Sequence, residues 1–166
     1  MPTNDKTLGD DKEYGLKAEG RVHERLESLF GPLESLSQKD EFSEFDYKNE
    51  SVYIELKSRR NTKSKYPTTM VGENKIVKGF TLQQAGFRVF FVFDFVDVMC
   101  LWELNRDEYE VRHGGRTDRG GPEIKSYCYI HINYLEDPLR LLRDVRLHHL
   151  HRPYGQDHHP NIKSSP

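Results

Sequence analysis

The sequence predicts a mixed α/β fold, with a central mixed sheet flanked by helices. Three observations carry this. Val52, Ile54 and Leu56 alternate with Tyr53, Glu55 and Lys57, which is the period of a strand. Arg88 to Phe95 is an aromatic and aliphatic run interrupted only by Asp94, and it reads as a strand covered on both faces. Tyr14–Phe30 and Glu73–Phe87 carry apolar residues at helical spacing, one before and one between these strands.

Length and composition allow such a fold. The 166 residues suit one domain with a real core. Residues 1–12 and 151–166 are polar and are expected to be flexible ends around a domain at 13–150. Charged residues make up 31% of the chain and the net charge is −2, so no global basic field announces nucleic acid. No apolar stretch approaches the ~18 residues of a membrane span, and the N-terminus lacks a signal-peptide segment. Cys100 and Cys128 lie in apolar runs and read as buried free thiols of a reduced compartment. An intracellular protein, cytoplasmic or nuclear, is expected.

The first helix should stop at Gly31-Pro32, with Val22, Leu26, Leu29 and Phe30 as its apolar stripe. Glu19 lies three residues before Val22, on that stripe. An acid there needs a partner, either a stripe-edge cation or a functional one. Phe42–Tyr47 and Val52–Lys57 should pair as strands around a turn at Asn49. Residues 58–72 read as a polar loop. The second helix should bury Ile76, Phe80 and Phe87 despite Gly79, with Gln83 and Gln84 flanking that face. Val98–Leu104 is a further strand, 105–125 a charged, glycine-rich loop or lid, and Ser126–Tyr134 a late strand. Asp137-Pro138 can open a helix over Leu139–Leu150, and the histidines of the tail read as part of a disordered end.

Residues 46–57 hold the chemistry. Alternation puts Glu55 and Lys57 on one face, and the turn would bring Asp46 beside Tyr53 and diagonally near Glu55. Two carboxylates and an ammonium would then crowd one patch, a setting that suits Mg²⁺, which takes a few oxygen ligands and keeps waters. Arg59, Arg60, Lys63 and Lys65 follow directly. Such a run is usually a solvated loop; beside a metal site, contact with a phosphate backbone becomes comparably reasonable.

Asp46, followed nine residues later by Glu55-Leu56-Lys57, resembles the signature of the PD-(D/E)xK nuclease superfamily, closest in pattern to small phage or viral nucleases. Phe45 stands where that signature has proline. The order helix, strand pair, helix, strand is similar to the restriction-endonuclease-like core over roughly residues 14–104. The resemblance implies a metal-dependent deoxyribonuclease, endo- or exonucleolytic, with Mg²⁺ as cofactor and Mn²⁺ as substitute. It implies Asp46, Glu55 and the Leu56 carbonyl as metal ligands, with Glu19 assisting, and Lys57 as the lysine that serves the reaction. It prefers Asp46 to Glu44, which shares its face. The stretch Tyr66–Lys75 resembles one in phage relatives whose lysine at the start of the following helix faces the site, here Lys75, a residue that could also contact nucleic acid. A glutamine on that helix is frequent in the family, and Gln83 and Gln84 are both open for it. DNA is the implied partner, with no membrane, and a homodimer would bring two sites to two strands. The other class of function is a nucleic-acid- or protein-binding module that kept the fold without the chemistry.

Overall fold

The computed structural model describes residues 20–36, 44–116 and 123–140. Glu19, both chain ends, the histidines of the tail, and most of the last expected helix lie outside them. The described part of the first helix, α1, covers residues 20–30. It ends where Gly31 turns to φ 79° and donates its N–H to the Glu27 carbonyl, a left-handed stop that glycine takes without strain.

Five strands form the main sheet: β1 (Glu34–Ser35), β2 (Tyr47–Lys48), β3 (Val52–Ser58), β5 (Arg88–Asp94) and β6 (Met99–Glu103), in the order β1-β2-β3-β5-β6. Only β3 and β5 run parallel, so the sheet is mixed as expected. Asn49 makes the β2–β3 turn, its Oδ1 accepting the N–H groups of Ser51 and Val52. Strand β2 is shorter than the sequence suggests, because Glu44, Phe45 and Asp46 form a bend before it.

Both faces of β3 and β5 are covered. Ile54, Leu56, Phe90 and Val92 join Val22, Leu26 and Leu29 of α1 in one core. Phe91 and Phe93 face the other way, into a second core with Phe45, Ile76, Trp102, Cys128 and Ile130. This is why Arg88–Phe95 shows no alternation: each face buries its own set.

A second sheet builds that other core. β4 (Thr68–Gly72), β8 (Glu123–His131) and β7 (Tyr109–Arg116) pair antiparallel in the order β4-β8-β7. Two expectations fail here. Part of the supposed loop at 58–72 is strand β4, and much of the supposed lid at 105–125 is β7 and the start of β8. Glycines and charges hid these strands because only one face of this sheet is buried. Val71, Cys128 and Ile130 are inside, whereas Arg112, Tyr127 and Tyr129 are not.

Helix α2 (Glu73–Gln84) follows β4 directly. It stops before Phe87 because Gly86 takes φ 99°, with the Phe87 N–H reaching back to the Leu82 carbonyl. Its buried residues are Ile76 and Gly79, whereas Phe80 and Phe87 are only half-buried. A Cβ on Gly79 would lie 2.7 Å from Leu104 Cδ2 and 3.3 Å from Val89 Cγ1. The glycine that looked like a flaw in the helix lets it lie close on the sheet. Among the described residues no helix is long and apolar enough to cross a membrane.

Candidate active site

Glu55 sits on the central strand of the main sheet and is only 4% exposed. A buried carboxylate is costly unless charge and hydrogen bonds compensate it. Here two ammonium groups do so, both on Oε1: Lys57 Nζ at 2.7 Å and Lys75 Nζ at 3.4 Å. The first contact verifies the period-two reading, since it requires Glu55 and Lys57 to share a face. The second comes from the first turn of α2. Lys75 also donates to the Glu44 carbonyl and lies 5.8 Å from the centre of the Phe45 ring.

Asp46 arrives from β2 by a different route than expected. Lys48, not Asp46, stands opposite Tyr53. The Asp46 N–H donates to the Ile54 carbonyl at 3.0 Å, a slip of one residue from the β2–β3 register. The slip is a bulge: Asp46 still accepts the Leu36 N–H through its carbonyl at 2.8 Å, and its side chain is left to reach along β3. Asp46 Oδ2 accepts the Leu56 N–H at 2.7 Å. Its carboxylate is thus anchored to the residue between Glu55 and Lys57.

Glu44, the rival acid, is exposed and pairs with Lys78 at 3.4 Å; it serves the site through its carbonyl, not its carboxylate. Phe45 is a contributor that sequence reasoning passed over. Its ring packs edge-on against Tyr53 and tilted against Phe91, forming an apolar wall beside Lys75. Its place directly before Asp46 was the available signal.

The basic run divides. Arg59 is not a loop cation: its Nε donates to Thr69 Oγ1 at 3.3 Å, its Nη2 donates to the Met70 carbonyl, and its guanidinium lies 5.7 Å from the Phe93 ring centre. It fastens the end of β3 to β4, which occupies the guanidinium that the sequence offered to DNA. Arg60 and Lys65 are exposed and Lys63 half-buried, with the Lys63 N–H held by Asp97. Gln83 donates to the Leu104 carbonyl at 2.8 Å. It lies eight residues beyond Lys75, about 12 Å along the helix, where Gln83 and Gln84 line a separate cleft of about 570 Å³.

Asp94 ends β5 on the α1 side, 3.9 Å from Arg21. Burial pushes its carboxyl above the ordinary range, with Arg21 and Arg25 opposing. Burial likewise pushes the Cys128 thiol up to about 11, in keeping with an inert core cysteine.

Among the described residues no three His, Cys, Asp or Glu side chains group as a metal cluster. The donor set of Asp46, just before β2, and Glu55, on β3, nonetheless fits a hard divalent cation, being carboxylate oxygens with the Leu56 main chain beside them.

The sequence matches the family model described as "Phage putative PDDEXK endonuclease" over residues 18–137. That span takes in all the elements of the site and reaches past the second sheet. A solved structure described as a nuclease from a fusellovirus covers 89% of this chain and 96% of its own, at 15% identity and a TM-score of 0.41. A search of the curated proteins finds no match.

Proposed function

The chain belongs to the phage PDDEXK endonuclease family, and from that premise we propose that it hydrolyses DNA phosphodiester bonds with the help of a divalent cation, Mg²⁺ with Mn²⁺ as substitute. The observation that supports this most is the buried Glu55 carboxylate held between Lys57 and Lys75, with Asp46 anchored one residue away. A buried charge cluster on a central strand is poor core design and good site design.

Asp46 and Glu55 would hold the cation, with the Leu56 carbonyl as a further oxygen and Glu19 assisting from outside the described residues. The cation supplies charge against the scissile phosphate and acidifies water. Lys57 orients the attacking water and offsets charge that grows on the phosphate. Its bond to Glu55 fixes the ammonium before substrate arrives, so little reorganisation is needed at reaction. Lys75 holds Glu55 from the helix side and lends a second positive charge. Arg60, Lys63 and Lys65 contact the phosphate backbone and position the substrate.

The test is incubation of purified protein with linear, circular, nicked, branched and single-stranded DNA, and with RNA, in Mg²⁺, Mn²⁺, Ca²⁺ or EDTA. Cleavage of DNA in Mg²⁺ and Mn²⁺ is expected, with binding alone in Ca²⁺ and neither product nor nicking in EDTA. Undiminished cleavage in EDTA, or none on any substrate, would sink the reading. Circular substrate separates endonuclease from exonuclease.

A further inference from the structure

Strand β7 ends the second sheet, and among the described residues its outer edge pairs with nothing. Exposed edges are normally blunted with proline, bulges, short strands or charged side chains. β7 has only the last of these, and its charges are of both signs, Glu110 and Arg112, so a suitably placed second edge can match them. It runs eight residues without proline, and its register with β8 is unbroken from Tyr109–Ile130 to Arg116–Glu123. Val111 on this edge is 48% exposed. Glu110 and Arg112 stand on the opposite face of the strand from Val111, with side chains 75% and 54% exposed.

We infer that this edge is the homodimer interface, where β7 pairs antiparallel with β7 of a second copy to join the two three-stranded sheets. The inference goes beyond the proposed chemistry and does not depend on it. A two-fold axis normal to the sheet keeps each face continuous, so residues facing one another across it must share parity. Centred on Val111, the axis sets Glu110 of each copy opposite Arg112 of the other. Centred one residue either way, it sets Glu110 against Glu110 or Arg112 against Arg112. Opposite charges directly across a strand pair stabilise and like charges destabilise, so the charges select the Val111 register. Each Arg112 now pairs with its own Glu110 at 3.0 Å and lies 4.7 Å from the Tyr129 ring centre. In the dimer four alternating charges would line up across the joint. On the other face the two Val111 side chains would cover one another.

The experiment measures association of the full chain by sedimentation, with trapping by disulfide. The wild-type protein should be dimeric at micromolar concentration. Glu110→Arg and Arg112→Glu should each weaken dimerisation about ten-fold, and the two changes together should restore it. Glu110→Cys protein mixed with Arg112→Cys protein should give a disulfide-linked dimer on mild oxidation, while either alone does not. A monomer, a dimer indifferent to both charge reversals, or a link that forms within one singly substituted protein would each overturn the inference. No readout uses cleavage, so failure here is distinct from failure of the nuclease reading.

Discussion

The long strands of the two sheets are similar in length and opposite in surroundings. β3 and β5 of the main sheet are buried on both sides, under α1 on one face and under α2 with the second sheet on the other. β7 and β8 bury one face only, and β7 leaves an edge exposed. The difference separates two kinds of work. A strand covered on both sides can hold Glu55 between two lysines, in a medium where charges act strongly on one another. A strand covered on one side offers surface, which suits association rather than chemistry.

The largest effect that would break this comparison is on turnover. Lys57→Ala should lower the single-turnover rate by on the order of 10²–10³ while leaving DNA affinity in Ca²⁺ nearly unchanged. Asp46→Ala and Glu55→Ala should abolish turnover. Glu110→Ala in the second sheet should leave the chemical step as it was. If the edge variant loses the chemical step and the Lys57 variant keeps it, the sites have been assigned to the wrong sheet.

Stability offers the next contrast. Phe91 is fully buried between Phe45 and Trp102, so Phe91→Ala should cost about 3–5 kcal/mol in urea denaturation. Val111→Ala should stay within about 0.5 kcal/mol, at protein concentrations low enough to keep the chain monomeric. Equal losses would mean that the second sheet is as deeply packed as the first.

The charge cluster sharpens the contrast further. Lys57→Ala or Lys75→Ala alone leaves the other lysine on Glu55 Oε1. The double variant leaves a buried carboxylate without its cations, so its loss, about 3 kcal/mol, should exceed the sum of the singles. Simple additivity would show that the two lysines compensate Glu55 independently.

Arg59 joins the two sheets. Arg59→Ala should cost about 1–3 kcal/mol, because it strands the Met70 carbonyl and Thr69 hydroxyl. Lys65→Ala should cost almost nothing in stability and should flatten the salt dependence of DNA binding by about one unit of slope. The reverse pattern would return Arg59 to the DNA-binding set.

The smallest effect concerns pH. The raised carboxyl of Asp94 keeps a proton in the native state that the unfolded chain has released, so stability falls as pH rises from the ordinary 3.8 through the raised value. Asp94→Asn should therefore raise the melting temperature slightly at neutral pH and not at all below that window. A variant less stable at neutral pH would show that the Arg21 contact outweighs burial.

The sequence by itself determined the strand that carries the chemistry. Alternation along Val52–Lys57 put Glu55 and Lys57 together because a strand's period is a local property of the backbone. It also determined the main sheet's centre, since a run as apolar as Arg88–Phe95 has few other places to go, and the α1 stop at Gly31. The turn at Asn49 brought Asp46 near Glu55, and resemblance to the nuclease signature chose it over Glu44 and supplied Lys75, which no local pattern would have singled out. Tertiary structure alone decided how these residues meet. The one-residue slip at Asp46, the anchoring of its carboxylate on the Leu56 amide and the arrival of Lys75 from α2 depend on register and helix placement, which are set by packing across the whole sheet. It likewise turned Arg59 from a loop cation into a tether, and a glycine-rich loop into β7. Those strands are polar on one face and become strands only when a partner already covers the other, so their signal lies in contacts distant in sequence.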